Sequence, residues 1–361
     1  MDSLLTTIIL PPSRNLLTLL DFCYAITLII YLPFFAMTLG SLTLSVFYRL
    51  ISNGNPARKE FARELLLQIF PERHYGILYG AVPVFTIVVV YAQSLYKADI
   101  HVVGFMFWGI ITTILGFYFF YRYRSCLREE YLLEQVEGLD NVPATLREQI
   151  DTRKSTVTYT LSWMMIFAPV FIYWSAYLII GAMEVVLHPQ YWAETYSSWQ
   201  YLTFAGFWWK FLFFLSACFA VTGAGVLFFM CKQYDKLSDE GYELTKTCGS
   251  ICGLYGAALL PILGLFYSFT LSSEAYSKGF VIFAVVALFF LFLAVARLAS
   301  AARASHRRGG SYTAFALVII VFTLTSMGDT VAKKSATYKH TESVLSGSQT
   351  AKIENKTEDT Y

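Results

Sequence analysis

Eight long stretches of the sequence are rich in apolar side chains and contain no charged residue. Each is long enough to cross the hydrocarbon core of a bilayer, because about 20 helical residues span about 30 Å. Lipid offers no hydrogen-bond partners, so the backbone amides of such a stretch must be satisfied within a helix. The pattern predicts an all-α polytopic membrane protein, a bundle of about eight transmembrane helices. We place its spans near residues 16–48, 75–98, 101–122, 155–187, 204–231, 247–273, 278–298 and 311–330.

The composition supports this assignment and leaves little room for another folded domain. Of the 361 residues, 56% are hydrophobic and 14% are charged, whereas soluble domains average about 25% charged residues. We predict a single transmembrane helical domain over residues 1–331. The polar segment 332–361 has a composition that predicts a disordered, exported tail. Two amphipathic segments, 55–70 and 126–136, are predicted to form helices on the membrane surface.

The connections between the predicted spans alternate between many and few positive charges. The first, third, fifth and seventh connections carry five, six, three and four Lys or Arg residues, whereas the second, fourth and sixth carry one, none and one. Connections rich in Lys and Arg stay in the cytoplasm. The alternation therefore predicts that both termini lie on the exported side of the membrane.

Small residues recur at four-residue spacing in two consecutive spans. They are Ser216, Ala220 and Ala224 in the fifth span and Gly249, Gly253 and Ala257 in the sixth. Small side chains allow helix backbones to approach closely in lipid. We therefore expect the fifth and sixth spans to pack against each other. The alternative is that these small residues have no role in packing, because small residues are frequent in membrane helices generally.

The sequence contains none of the motifs that mark common enzyme or metal chemistry. Its six cysteines include no Cys-x-x-Cys-His, and no glycine-rich phosphate loop, His-Glu-x-x-His helix or nucleophile elbow occurs. We assign no catalytic residue and no metal ligand. The five histidines lie outside the middle of the predicted bilayer, so a haem ligated at the bilayer centre is not expected. As an alternative, His101 and His188 could serve as two axial ligands near the outer surface.

Several ionisable and aromatic residues from distant parts of the sequence fall near the exported boundary of the membrane. Ionisable groups at membrane depth are costly and are candidates for function. The candidate residues for a cofactor site at this outer face are Asp21, His101, Glu184, His188, Lys210, Trp208 and Trp209. One interpretation is a site for a quinol head group, with Asp21 or Glu184 accepting a proton. The alternative is an ordinary belt of interfacial tryptophans with a lysine that reaches to the headgroups.

Two short segments carry a resemblance to a known family. The first is Tyr-Leu-Pro-Phe-Phe-Ala-Met at residues 31–37 with Gly40, and the second is Gly-Asp-Thr-Val-Ala at 328–332 followed by Ala-Thr-Tyr-Lys-His-Thr at 336–341. With the eight-span layout, they resemble eight-span bacterial cytochrome-b-like membrane subunits associated with, or fused to, c-type cytochromes. The resemblance implies a multi-pass protein of the bacterial inner membrane with periplasmic termini, in an electron-transfer context.

The chain departs from this family where redox centres would be expected. Haem-bearing relatives are expected to carry histidines in the first and fifth spans, where this chain has Tyr31 and Phe213. The polar tail stands where similar chains continue into a c-type cytochrome domain. The sequence is therefore interpreted as a non-catalytic subunit of a respiratory or photosynthetic complex that docks a c-type cytochrome or contacts quinol. Its expected partners are membrane lipid and other subunits, not nucleic acid, and a quinone is the candidate ligand.

Two other classes of function stay open at this point. A small-solute transporter or channel would need a polar path through the bundle, and the spans contain little charge in mid-membrane. A membrane-embedded enzyme acting on lipid-like substrates would need paired carboxylates or a Ser/His set, which the spans lack.

Overall fold

A computed structural model describes residues 13–70, 72, 74–98, 100–137, 143–231, 237–303 and 308–358. The described regular structure is entirely helical. The nine long helices of this part of the chain are α1 (Arg14–Leu50), α2 (Pro56–Ile69), α3 (His74–Ser94), α4 (Val102–Glu137), α5 (Ala144–Val186), α6 (Ala205–Met230), α7 (Asp239–Thr270), α8 (Lys278–Arg303) and α9 (Arg308–Glu358).

Within the described residues, eight of these helices are long and apolar enough to cross a membrane, and α2 is the exception. The all-α fold class and the membrane assignment are thereby confirmed. Several helices continue well beyond the predicted spans: α4 has 36 residues and α5 has 43. At 1.5 Å per residue, α4 is about 54 Å long and exceeds the hydrocarbon thickness by about 24 Å. The segment 126–136, predicted to be a separate surface helix, is the end of α4.

Helix α1 occupies the centre of the bundle. The pairs α4–α5, α6–α7 and α8–α9 pack as hairpins, and α1 contacts every pair. Helices α5, α6 and α9 pack along α1, and α4 contacts it through Tyr123, whose hydroxyl oxygen lies 3.3 Å from that of Ser45. Aromatic side chains fill the space around it: Tyr31 stacks on Phe35 with ring centroids 5.1 Å apart, and Phe35 stacks on Phe214 of α6 at 6.1 Å. Tyr31 and Phe35 are almost completely buried. The middle of the bundle is therefore a packed aromatic core.

Helices α6 and α7 pack through small residues, as the sequence predicts. The Ser216 hydroxyl donates to the Gly256 carbonyl at 2.8 Å. A Cβ atom added to Gly256 would lie 2.6 Å from the Ala220 nitrogen, and one added to Gly223 would overlap the backbone of Gly253. Backbone atoms this close leave no room for a side chain, so the glycines permit the contact.

Helix α9 continues without interruption from the last span to Glu358. This differs from the disordered tail predicted over 332–361, of which residues 359–361 lie outside the described residues. Ala332 and Ala336 lie one helical turn apart and are buried in a small cluster with Leu187, Ala275 and Phe280. Packing of two small apolar residues thus stabilises helix in a segment whose composition is polar, and tertiary contacts override the composition.

Candidate functional site

The most deeply buried ionic contact of the bundle joins Lys210 to two carboxylates. The Lys210 Nζ lies 3.5 Å from Glu184 Oε2 and 4.0 Å from Asp329 Oδ1. Lys210 belongs to α6 and its side chain is 9% exposed, Glu184 belongs to α5 and is 1% exposed, and Asp329 belongs to α9 and is 21% exposed. A lysine can be held among apolar side chains only if opposite charge is close to it. The three residues form the centre of the candidate site.

The two oxygens of the buried Glu184 carboxylate differ, because one accepts a hydrogen bond and the other does not. The Tyr267 hydroxyl donates to Oε2 at 3.2 Å, while Oε1 lies 3.6 Å from His188 Nδ1 and has no hydrogen-bond partner. The carboxylate packs directly on Gly206, where an added Cβ atom would overlap Oε1. A buried carboxylate oxygen without a donor is costly. It is therefore the atom of this site most suited to accept a proton or a hydrogen bond from a ligand.

His188 is fixed by two backbone carbonyls. Its Nε2 lies 2.8 Å from the Thr270 carbonyl oxygen, and its Nδ1 lies 3.0 Å from the Glu184 carbonyl oxygen. An imidazolium, with two N–H donors, satisfies both acceptors, whereas either neutral tautomer satisfies one. Because both nitrogens face carbonyl groups, neither is directed at an axial position of a haem iron in this structure.

A cavity of about 440 Å³ borders Glu184. Its wall includes His188, Tyr191 and Phe204, whose rings stack in series with centroid separations of 5.9 and 5.1 Å. The Thr270 and Ser272 segment at the end of α7 lines it as well. Small-molecule sites have volumes of about 300–1,000 Å³ and combine apolar walls with a few polar groups. This cavity has the size, the aromatic wall and the polar group of such a site.

A second, smaller cavity lies on the other side of the ion pair. It measures about 60 Å³ and is lined by Phe213, Phe214 and Phe322 together with Lys210 and Asp329. Lys210 is thus placed between an apolar space inside the bundle and the carboxylate that borders the larger cavity. The ion-pair network separates the lipid-like interior of the bundle from its polar end.

Asp21 belongs to a neighbouring cluster rather than to the cavity. Its carboxylate lies 3.6 Å from Lys333 Nζ and 3.9 Å from Lys334 Nζ. The Lys333 ammonium lies 4.4 and 5.1 Å from the ring centroids of Tyr24 and Tyr91, whose hydroxyls are 2.9 Å apart. Lys333 is almost fully buried and has no hydrogen-bond partner at Nζ, so the rings and the carboxylate together balance its charge.

The other predicted residues of the outer face do not join the cavity. His101 is exposed and lies against Tyr196, with ring centroids 5.6 Å apart. Trp208 is 45% exposed and donates its indole N–H to the Leu202 carbonyl at 2.9 Å, while Trp209 stacks on Phe266 at 4.6 Å. None of the three lines the cavity. Their positions fit the aromatic-belt interpretation, whereas Glu184, His188 and Lys210 do come together.

Asp329 and Tyr267 belong to the Lys210 network and Lys333 to the neighbouring Asp21 cluster, and none of the three is among the predicted site residues. Asp329 and Lys333 lie one turn apart on α9, in a segment that the sequence places at or beyond the end of the last span. An acid and a base four residues apart at the end of an apolar helix form a pattern that could have identified them. No group of three His, Cys, Asp or Glu residues in the described ranges is arranged to hold a metal ion. No family model and no curated protein matches this sequence.

Proposed function

We propose that the protein is an integral membrane subunit of an electron-transfer complex and that its Glu184 cavity receives the head group of a quinol substrate. One observation carries the proposal. Glu184 Oε1 is buried and has no hydrogen-bond partner, and its carboxylate lies at the wall of an aromatic cavity and beside Lys210. A quinol head is a flat ring that carries hydroxyl donors. The rings of Tyr191 and Phe204 offer a stacking face, and Oε1 offers the acceptor.

Oxidation of a quinol to a quinone releases two protons and two electrons. Glu184 accepts the proton of one hydroxyl through Oε1, and the Lys210 ammonium stabilises the carboxylate before the transfer. The second proton passes to water at the mouth of the cavity, and the two electrons would be taken up by two ferric haems of partner c-type cytochromes, one electron by each.

The same proposal includes an orientation. The charges of the connections support an orientation with both termini outside the cytoplasm, and the family resemblance implies the bacterial inner membrane, with both termini in the periplasm. The Glu184 cavity then opens on the periplasmic side, where c-type cytochromes reside, and the continuation of α9 beside it is the surface we assign to cytochrome docking. In the part of the chain that the structure describes, the stacked rings of Tyr31, Phe35 and Phe214 fill the space around α1, which disfavours the transporter alternative.

The test begins with native membranes that contain the tagged chain. We expect a haem-staining c-type cytochrome to co-purify, and a short-chain quinol to reduce its haem. Replacing Glu184 by Gln should slow that reduction about 10²–10⁴-fold, which is the usual contribution of a positioned proton acceptor. Glu194→Gln changes an exposed carboxylate of the same outer connection and serves as the control. A chain that purifies alone and colourless, or equal rates for both variants, would overturn the proposal.

A further inference from the structure

A second large cavity lies at the opposite end of the bundle from Glu184. It measures about 600 Å³ and is formed between the beginning of α3 and the extended end of α4. Its lining residues are Glu72, His74, Arg124, Ser125, Arg128, Glu129 and Leu132. The positive-inside rule predicts this end to be cytoplasmic. Five of the seven residues are ionisable, so the cavity is suited to a charged ligand.

The positive and negative side chains of this cavity are engaged differently. Glu129 accepts from Arg153 Nε at 2.5 Å, and Glu72 lies 3.1 Å from His74 Nδ1. Each carboxylate therefore already has a nitrogen partner, the Arg153 guanidinium for Glu129 and the His74 imidazole for Glu72. Arg128, in contrast, is exposed and makes no ion pair with any carboxylate of the described ranges.

Arg124 supplies a second guanidinium one helical turn before Arg128. It is 8% exposed and donates from Nε to the Leu66 carbonyl at 3.3 Å, which orients the group at the cavity wall. Residues four apart on a helix lie on the same face. Two guanidinium groups on one face, one of them fixed by the fold, match the geometry of a phosphate group, which arginine binds through paired N–H donors.

Apolar side chains extend from the cavity along the outside of the bundle. Ile77, Leu78, Val82 and Phe85 of α3 are each at least half exposed, and Leu132 at the cavity wall is 49% exposed. On a spanning helix such residues face acyl chains. A ligand that fills the cavity and continues along α3 is therefore amphiphilic, with a phosphate at one end.

We propose that this cavity binds the headgroup of an anionic phospholipid of the cytoplasmic leaflet, with Arg124 and Arg128 on the phosphate and the acyl chains along α3. Basic pockets between spanning helices on the cytoplasmic side are suited to such headgroups. The site is separate from the Glu184 cavity and does not depend on the quinol proposal. A bound lipid would contact both the beginning of α3 and the extended end of α4, which together line the cavity.

The test measures lipid retained by the full chain. Protein is exchanged into nanodiscs of phosphatidylglycerol and phosphatidylcholine in equal amounts, extracted into mild detergent, and weighed with its bound lipid by native mass spectrometry. We expect one phosphatidylglycerol to be retained in preference to phosphatidylcholine. A hydrogen bond to a charged group contributes about 1.5–3 kcal/mol, so Arg128→Gln should lower retention at least about tenfold. Arg122→Gln, at an exposed position six residues earlier on α4, should leave retention unchanged.

Two results would overturn the proposal. One is equal retention of both lipids by the unaltered chain, which needs no variant to fold. The other is equal loss of lipid from Arg122→Gln and Arg128→Gln, which would indicate general surface attraction rather than a site. A parallel titration with inorganic phosphate separates the sources of the ligand: if millimolar phosphate alone displaces the lipid, the cavity recognises free phosphate and the phospholipid assignment is wrong.

Discussion

Replacing Lys210 by Met is the most direct probe of the buried network. Methionine keeps most of the apolar stem of lysine and removes the ammonium. The change leaves Glu184, 1% exposed, and Asp329, 21% exposed, without the cation that lies 3.5 and 4.0 Å from their oxygens. We expect a strongly destabilised protein, because two carboxylates then share one buried space with no positive charge between them.

The distances set the size of the effect. Unit charges 3.5 Å apart attract by roughly 5 kcal/mol at an effective dielectric constant of about 20. The cost of burying the lysine offsets part of this attraction, yet removing one partner leaves the other desolvated. Measured losses for breaking a buried pair in this way are about 3–5 kcal/mol. We therefore expect the free energy of unfolding to fall by about 3–5 kcal/mol in Lys210→Met.

The measurement is equilibrium unfolding in mixed micelles with a denaturing detergent, followed by tryptophan fluorescence. Glu184→Gln and the double variant Lys210→Met with Glu184→Gln complete a double-mutant cycle. Because the double variant buries fewer unpaired charges, it should be more stable than Lys210→Met alone, with a coupling of about 1–3 kcal/mol. The remaining deficit is assigned to Asp329, which still lacks its cation.

A different outcome would refute the electrostatic account. If Lys210→Met unfolds within about 0.5 kcal/mol of the unaltered protein, the ammonium is not desolvated, and the contacts behave as a surface pair. If the two single changes are additive, Lys210 and Glu184 do not interact energetically. Either result would also remove the physical basis for treating Glu184 as a charged proton acceptor.

Three further outcomes are expected. Gly256→Val should prevent close packing of α6 and α7 and lower the yield of folded protein, measured by size-exclusion chromatography. The control Gly264→Ala, whose Cβ would lie 3.4 Å from its nearest neighbour, should elute as the unaltered protein does. Lys333→Met removes a buried cation from two tyrosine rings and should lower the free energy of unfolding by about 2 kcal/mol. The exposed control Lys334→Met should lower it by no more than about 1 kcal/mol. Equal losses in the two variants would contradict the burial argument. A reporter fused after Tyr361 should be active only outside the cytoplasm; activity inside would contradict the orientation.

The spans and the α6–α7 contact could be predicted because their causes are local. A run of apolar residues without charge has one stable conformation in lipid, and the helix needs no tertiary contact to satisfy its backbone. The spacing of Gly249, Gly253 and Ala257 likewise depends only on helical periodicity. The ends of the helices were harder to predict. A helix can continue beyond the membrane through polar residues, such as those at 126–136, because its backbone hydrogen bonds stay satisfied there as well.

The candidate site was predicted in part, and the division has a physical reason. Glu184, His188 and Lys210 can be recognised in the sequence because each lies at the end or the beginning of an apolar span. Any topology that puts these span ends on the same side of the membrane brings the three residues to the same depth. Which neighbours face one another within that level depends on helix rotation, and the sequence pattern leaves rotation undetermined. This is why Asp21 was grouped with Lys210 in the prediction, whereas in the structure it contacts Lys333.

Helix α9 explains how the two ionic clusters and the helical tail depend on one another. It carries an acid at Asp329 and a base at Lys333, one turn apart, and each residue faces a different partner helix. Both contacts exist only if α9 keeps its helical rotation through this turn. A chain that left the helix after residue 331, as the composition predicts, would release Lys333 from Asp21 and the two tyrosine rings. The buried ion pairs thus supply a reason for the helix to continue past the membrane, and the continuing helix in turn holds Asp329 against Lys210.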